Sequence, residues 1–124
     1  MVIDTSAIMA VFFNEESADW VLDQLSDHAS RLRMSTVNLT ECLILIRDRQ
    51  PSLAESLEAR LLASGIQFEP PDIEQAQLAA AARFRWPLNL GDCFAYALAR
   101  RNESPLLTLD RDFRRVDIEV VLPE

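Results

Sequence analysis

Four acidic residues lie within or beside strongly apolar segments, where a folding chain normally avoids charge: Asp4, Glu41, Asp92 and Asp110. Carboxylates are rarely fully buried without a partner, because an unpaired buried charge is strongly unfavourable. If these segments pack into one core, the acids must share a cation. We interpret that cation as divalent, and an oxygen-only ligand set favours magnesium or manganese over zinc.

Converging carboxylates of this kind can support phosphodiester hydrolysis. Two divalent ions about 3.5–4 Å apart, held by acids, activate a water and stabilise the leaving oxygen. We predict Asp4 and Asp92 as the main metal ligands. Glu41 and Asp110 are predicted to complete the site, directly or through waters.

Each acid also has a purely structural interpretation. Asp4 and Asp92 could each cap the helix that follows, and Asp110 could initiate a turn. Glu41 lies in a predicted helix, where a salt bridge with an arginine is the alternative. Asp112 competes with Asp110 for the fourth position, and we favour Asp110 because it lies nearest the end of a predicted strand.

Hydroxyl and thiol side chains lie close to these acids in sequence. Thr5, Ser6 and Thr108 are candidates for orienting the carboxylates at the strand ends, or waters bound there. Cys42 and Cys93 each directly follow one of the acids. We interpret both cysteines as core thiols, since free cysteine is among the most buried residue types.

Short apolar segments alternate with helical patterns along the chain. Strands are predicted at residues 1–4, 31–35, 66–68, 106–109 and 118–121. Helices are predicted to begin near residues 5, 15, 35, 52, 72 and 92. This alternation favours a single-domain α/β/α sandwich over residues 1–124, with a central parallel sheet. Such sheets bind ligands beyond the carboxyl ends of their strands, where Asp4 and Asp110 lie.

Composition excludes several classes of protein. The 124-residue chain has a net charge of −8, and its twelve basic residues are all arginine. The missing lysine excludes a Walker-type phosphate loop. The negative charge argues against a nucleic-acid partner, but bound metal would neutralise several acids and arginine pairs well with phosphate. No apolar run approaches the ~20 residues that cross a bilayer, and the N-terminus lacks a signal-peptide pattern, so we expect a cytoplasmic protein without a membrane partner.

Four segments together resemble the PIN domain family, and specifically its VapC-type toxins. They are residues 1–7, 35–41, 88–99 and 105–113, which contain Val-Ile-Asp-Thr-Ser, Val-Asn-Leu-Thr-Glu, Asn-Leu-Gly-Asp-Cys and Leu-Thr-Leu-Asp-Arg-Asp-Phe. The resemblance covers nearly the whole chain. It implies a parallel α/β/α fold and a magnesium- or manganese-dependent endoribonuclease. Its acidic metal site would consist of Asp4, Glu41, Asp92 and Asp110.

The resemblance also implies partners. These are a structured RNA substrate such as tRNA or ribosomal RNA, a cognate antitoxin protein that blocks the site, and a second copy of the chain in a homodimer. The apolar residues Phe12, Phe13 and Trp20 could belong to the core or to a dimer and antitoxin surface. Two other functions stay open: a non-catalytic PIN-like partner-binding module, and a DNA-directed nuclease of the same architecture.

Overall fold

The computed structural model describes residues 1–28 and 31–124, and within these ranges the chain forms five strands and six α-helices. The strands are β1 (Val2–Ile3), β2 (Arg33–Ser35), β3 (Gln67–Glu69), β4 (Leu106–Leu107) and β5 (Val120–Val121). The α-helices are α1 (Thr5–Phe12), α2 (Ala18–Asp27), α3 (Thr36–Arg49), α4 (Ala54–Leu62), α5 (Ile73–Arg85) and α6 (Leu90–Arg101). Short 3-10 helices at Pro51–Leu53 and Arg111–Arg115 precede α4 and β5.

All five strands belong to one parallel sheet in the order β3-β2-β1-β4-β5. The central strand β1 pairs with β2 on one side and with β4 on the other, so that Val2 lies opposite both Arg33 and Leu106. From β1 the chain builds the sheet outward on one side through β2 and β3, and then adds β4 and β5 on the other side of β1. The strand order thus reverses between β1 and β4, which is where such folds bind ligands. Asp4 directly follows β1, and Thr108 directly follows β4.

Alternate residues of the central strands point to opposite faces of the sheet. Val2 and Leu106 pack into a core with residues of α5 and α6. Ile3 and Leu107 pack into a second core with residues of α1 to α4. All four side chains are fully buried, as expected for parallel strands covered by helices on both faces. The predicted α/β/α sandwich with a central parallel sheet is confirmed.

Two helices begin later or earlier than the sequence predicts. Helix α6 begins at Leu90 rather than Asp92, because Asn89 caps it in a reciprocal pair with Asp92. Helix α2 begins at Ala18 rather than near residue 15, after Asn14 adopts a left-handed backbone conformation with φ of 50°. In the described part of the chain, no helix has both the length and the apolar character needed to traverse a lipid bilayer.

Candidate functional site

One open cleft, of about 470 Å³, lies beyond the carboxyl ends of β1 and β4 and between α1, α3 and α6. The structure brings four of the predicted acids to its wall: Asp4, Glu41, Asp92 and Asp110. Asp112 is exposed and lies outside the residues that line the cleft. Of the two competing acids after β4, Asp110 is therefore the one that faces this space.

Asp4 is the most constrained of these carboxylates, with only 3% of its surface exposed. Its Oδ1 accepts a hydrogen bond of 2.8 Å from the Thr5 amide, which makes it the N-cap of α1. Its Oδ2 accepts bonds of 2.7 Å from Thr108 Oγ1 and 2.9 Å from Ser6 Oγ. Burial raises the pKa of Asp4 above its ordinary value and outweighs these donors, while the charge of Glu41 raises the pKa further.

Glu41 reaches the cleft from the middle of α3. Its Oε1 accepts hydrogen bonds of 2.7 Å from Thr5 Oγ1 and 3.0 Å from Asn38 Nδ2. Asn38 Nδ2 also donates a 3.0 Å bond to the Gly91 carbonyl, which ties α3 to the first turn of α6. Among residues 1–28 and 31–124, no arginine forms an ion pair with Glu41. Its partners are thus neutral donors, and the predicted salt-bridge alternative is absent.

Asp92 lies in the first turn of α6 and is 6% exposed. Its Oδ2 accepts a 3.2 Å hydrogen bond from the Asn89 amide, and its own amide donates a 2.9 Å bond to Asn89 Oδ1. Burial is the main reason that the pKa of Asp92 rises to about 7, and the charges of Asp4, Asp110 and Glu41 add to it. All three other acids therefore act on Asp92, so the four carboxylates share one electrostatic environment.

Asp110 joins the cleft from the loop after β4. Its amide donates a 3.0 Å hydrogen bond to Thr108 Oγ1, and its Oδ1 accepts a 2.9 Å bond from the Asp112 amide. Asp110 thereby caps the 3-10 helix Arg111–Arg115. The structural roles predicted as alternatives for Asp4 and Asp110 are real, and they coexist with a position on the cleft wall.

The thiols and the single histidine do not supply donors to this cleft. Cys42 and Cys93 are buried, as predicted for core thiols. Burial, followed by the charges of Asp4 and Glu41, raises the pKa of Cys42 to about 12, so it remains a protonated thiol. His28 follows the end of α2 and is exposed. The candidate metal-ligand atoms of the described cleft lining are therefore side-chain oxygens, chiefly those of the four acids.

These oxygens suit a hydrated hard cation better than a tightly caged one. Within the described ranges, no three His, Cys, Asp or Glu side chains form a ready-made metal-binding group. The carboxylates of Asp4, Asp92 and Asp110 each accept hydrogen bonds from nearby backbone amides. Asn38 Oδ1, buried beside Glu41, accepts no hydrogen bond from the described residues. Magnesium keeps several of its waters and is usually bound through one or two carboxylates, so this donor set fits magnesium or manganese.

Sequence reasoning assigned no site role to three polar residues at or beside the cleft, although each left a signal. Asn38 lies three residues before Glu41, and this spacing puts both on one helix face. Asn89 lies three residues before Asp92, which is the spacing of a capping box. Arg49 lies two turns beyond Glu41 on the same stripe of α3, and it lines the rim of the cleft.

Comparison with known proteins identifies related sequences over nearly the full length. The PIN domain family matches residues 1–119. Ribonuclease VapC42 of Mycobacterium tuberculosis is 37% identical over 127 aligned positions, which cover 95% of this chain and 96% of that protein. A ribonuclease VapC of Mycolicibacterium smegmatis is 36% identical, with 98% of this chain and 99% of that protein covered.

Solved structures share the architecture at lower sequence identity. VapC20 of Mycobacterium tuberculosis, a toxin that cleaves the sarcin-ricin loop, superposes with a TM-score of 0.82 at 18% identity, over 98% of each chain. A toxin–antitoxin complex from Klebsiella pneumoniae gives a TM-score of 0.78 at 20% identity, covering 99% of this chain and 97% of that one. At these identities the likeness concerns the fold.

Proposed function

The chain belongs to the PIN domain family and to its VapC-type members, and we propose that it is a metal-dependent endoribonuclease acting as the toxin of a toxin–antitoxin pair. The observation that carries this proposal is the convergence of Asp4, Glu41, Asp92 and Asp110 on one cleft. The names of the VapC relatives, which are ribonucleases, support RNA as the substrate. The nuclease domain would comprise residues 1–124.

The acids would divide the work of holding magnesium or manganese. Asp4 and Asp92 are the most buried of the four and would be the main ligands. Glu41 and Asp110 would complete the site, directly or through waters. When bound, such ions lower the pKa of a coordinated water and offset the charge that develops on the leaving oxygen.

The surrounding polar residues orient these ligands. Ser6 and Thr108 both donate hydrogen bonds to Oδ2 of Asp4, and these bonds hold the carboxylate in one orientation. Thr5 and Asn38 do the same for Oε1 of Glu41. Donors that fix the ligands around a metal commonly change metal affinity or activity by about 10- to 100-fold when removed.

Cleavage assays with purified protein test the function directly. We expect cleavage of structured RNA with magnesium or manganese, and none with excess EDTA. Parallel assays with single-stranded RNA, structured RNA and DNA distinguish a ribonuclease from a DNA-directed nuclease of the same fold. Titration calorimetry with manganese gives a second readout. Neither cleavage nor manganese binding at millimolar metal would favour a non-catalytic partner-binding module instead.

Gly91 offers a test of Glu41 that keeps this acid in the sequence and preserves the fold, but moves its carboxylate. A Cβ added at Gly91 would overlap the Glu41 carboxylate, so Gly91→Ala must displace that side chain. The backbone cost is absent, because alanine is a better helix former than glycine. We expect Gly91→Ala to weaken manganese binding about tenfold while the melting temperature stays the same or rises.

The matched control for this substitution is Leu90→Ala. Leu90 precedes Gly91 in the same helical turn, and 69% of its surface is exposed. The control should bind manganese as the wild type does. Wild-type affinity in the Gly91→Ala protein would mean that the observed position of Glu41 is irrelevant to metal binding.

A cognate antitoxin and a second copy of the chain are the proposed protein partners. An apolar groove of about 410 Å³, lined by side chains of α1, α2 and α4, supports this proposal. Phe12 lines the groove while also packing against the core, as do Val11 and Leu25. Size-exclusion chromatography with light scattering would reveal a homodimer, and co-expression with any short reading frame encoded directly upstream would test for the antitoxin.

A further inference from the structure

A positively charged side chain, that of Arg49, lies on the rim of the acidic cleft. Among the described residues that line it, Arg49 is the only basic side chain, whereas five are acidic: Asp4, Glu15, Glu41, Asp92 and Asp110. An RNA strand approaching this cleft carries one negative charge per nucleotide. Even with metal bound at the inner acids, the rim would repel that strand unless a cation faced it.

The Arg49 guanidinium is supported on one side and loosely paired on the other. Its Cζ lies 4.9 Å from the centre of the Phe13 ring, and Phe13 packs against the core. Its Nη1 lies 3.6 Å from Glu15 Oε2, beyond hydrogen-bond distance, and both side chains are about half exposed, at 49% and 45%. Exposed pairs of this kind contribute little free energy, so Glu15 can be displaced easily.

We propose that Arg49 binds a phosphate of the RNA backbone next to the scissile one and exchanges Glu15 for it. This inference rests on the proposed ribonuclease function. A guanidinium presents two parallel N–H donors to a phosphate, and the aromatic ring beneath it holds the group in place. Arg49 thus supplies a phosphate contact at the rim of a cleft whose other described charged residues are acidic.

A purely structural role for Arg49 has a matched control on the same helix. Both Arg47 and Arg49 lie in the last turn of α3, where positive charge complements the helix dipole. Arg47 is 58% exposed and pairs with Glu58 at 2.7 Å, outside the residues that line the cleft. Loss of either arginine removes the same charge from the same helix end. A difference in RNA binding between the two variants therefore reflects the position of Arg49 at the cleft.

RNA binding can be measured without cleavage in an Asp92→Asn background, in which the loss of a main metal ligand prevents turnover. Fluorescence anisotropy of a labelled single-stranded RNA is followed over a series of KCl concentrations. Adding Arg49→Ala should weaken binding about three- to tenfold and reduce the slope of log affinity against log salt by about 0.7, the value for one lost phosphate contact. Arg47→Ala should change neither quantity appreciably, and Glu15→Gln should tighten binding about twofold.

Kinetics in the otherwise native protein complete the test. Arg49→Ala should raise KM for RNA about three- to tenfold, with kcat and manganese affinity close to wild type. The proposal would be overturned if Arg49→Ala left the salt slope unchanged, or if Arg47→Ala and Arg49→Ala weakened RNA binding equally. Absent cleavage together with Arg49-dependent RNA binding would instead overturn the nuclease function and retain the phosphate contact.

Discussion

Replacement of Asp92 by asparagine should lower the rate of RNA cleavage by about a thousandfold or more while the protein remains folded. A metal held at a phosphoryl group contributes several kcal/mol to transition-state stabilisation, and each 1.36 kcal/mol is a factor of ten in rate. Asparagine keeps an oxygen that can accept the Asn89 amide, so the capping box survives. Asp4→Asn should have an effect of similar size on cleavage.

The control for these substitutions is built into the loop after β4. Asp110 lines the cleft, whereas Asp112 is exposed outside it, although only one residue separates them. Asp112→Asn should therefore cleave at the wild-type rate, and Asp110→Asn should be impaired. Rates are compared across a manganese titration, with circular dichroism melts to verify folding. Equal residual cleavage by wild-type and Asp92→Asn protein would assign the activity to a contaminant.

The sheet was predictable because short strand patterns, three of them wholly apolar, alternate with helical patterns along most of the chain. The alternation places Asp4 after one strand and Asp110 after another, and a parallel sheet brings the carboxyl ends of its strands to one edge. Pairing of Ile3 with Leu107 then sets Asp4 beside Thr108, two residues before Asp110, and both acids line the same cleft. The convergence of these two strand-end acids follows from the topology, whereas Glu41 and Asp92 lie on helices and reach the cleft through helix packing.

The contacts that fix each acid were beyond the sequence because they depend on how the helices pack. The Asn38 bond to the Gly91 carbonyl joins residues that are 53 positions apart, and it exists because α3 crosses the start of α6. The stacking of Arg49 on Phe13 likewise joins the end of α3 to the residue that follows α1, a placement that no local pattern encodes. Periodicity specifies which face a residue occupies, whereas packing specifies which atom it meets.

The same acids that we expect to serve catalysis should weaken the fold when metal is removed. With a chelator at pH 8, Asp92→Asn should melt roughly 4 °C above the wild type. This shift corresponds to a gain of about 1 kcal/mol in the free energy of unfolding. Its charge is buried and lies close to those of Asp4, Asp110 and Glu41, so removing the charge relieves desolvation and repulsion. Asp92 is the better probe than Asp4, which would also lose acceptor sites for Ser6 and Thr108.

The pH dependence of this difference has a definite sign. Burial raises the pKa of Asp92 in the folded protein to about 7 from an ordinary value of 3.8, so the folded state holds its proton more tightly than the unfolded chain. Wild-type stability should therefore fall as pH rises from about 4 to 7, and the advantage of Asp92→Asn should vanish near pH 4. An advantage that is equally large at pH 4 and pH 8 would contradict this origin.

Manganese should reverse the order of the two melting temperatures. A ligand at 100 times its dissociation constant stabilises the folded state by about 2.7 kcal/mol, which exceeds the gain expected from removing the charge. The wild type would receive this stabilisation, and Asp92→Asn, lacking a main ligand, would receive little. Differential scanning fluorimetry of both proteins with EDTA and with manganese measures the crossing. If Asp92→Asn melts at a higher temperature than the wild type in both EDTA and manganese, Asp92 is not a main manganese ligand.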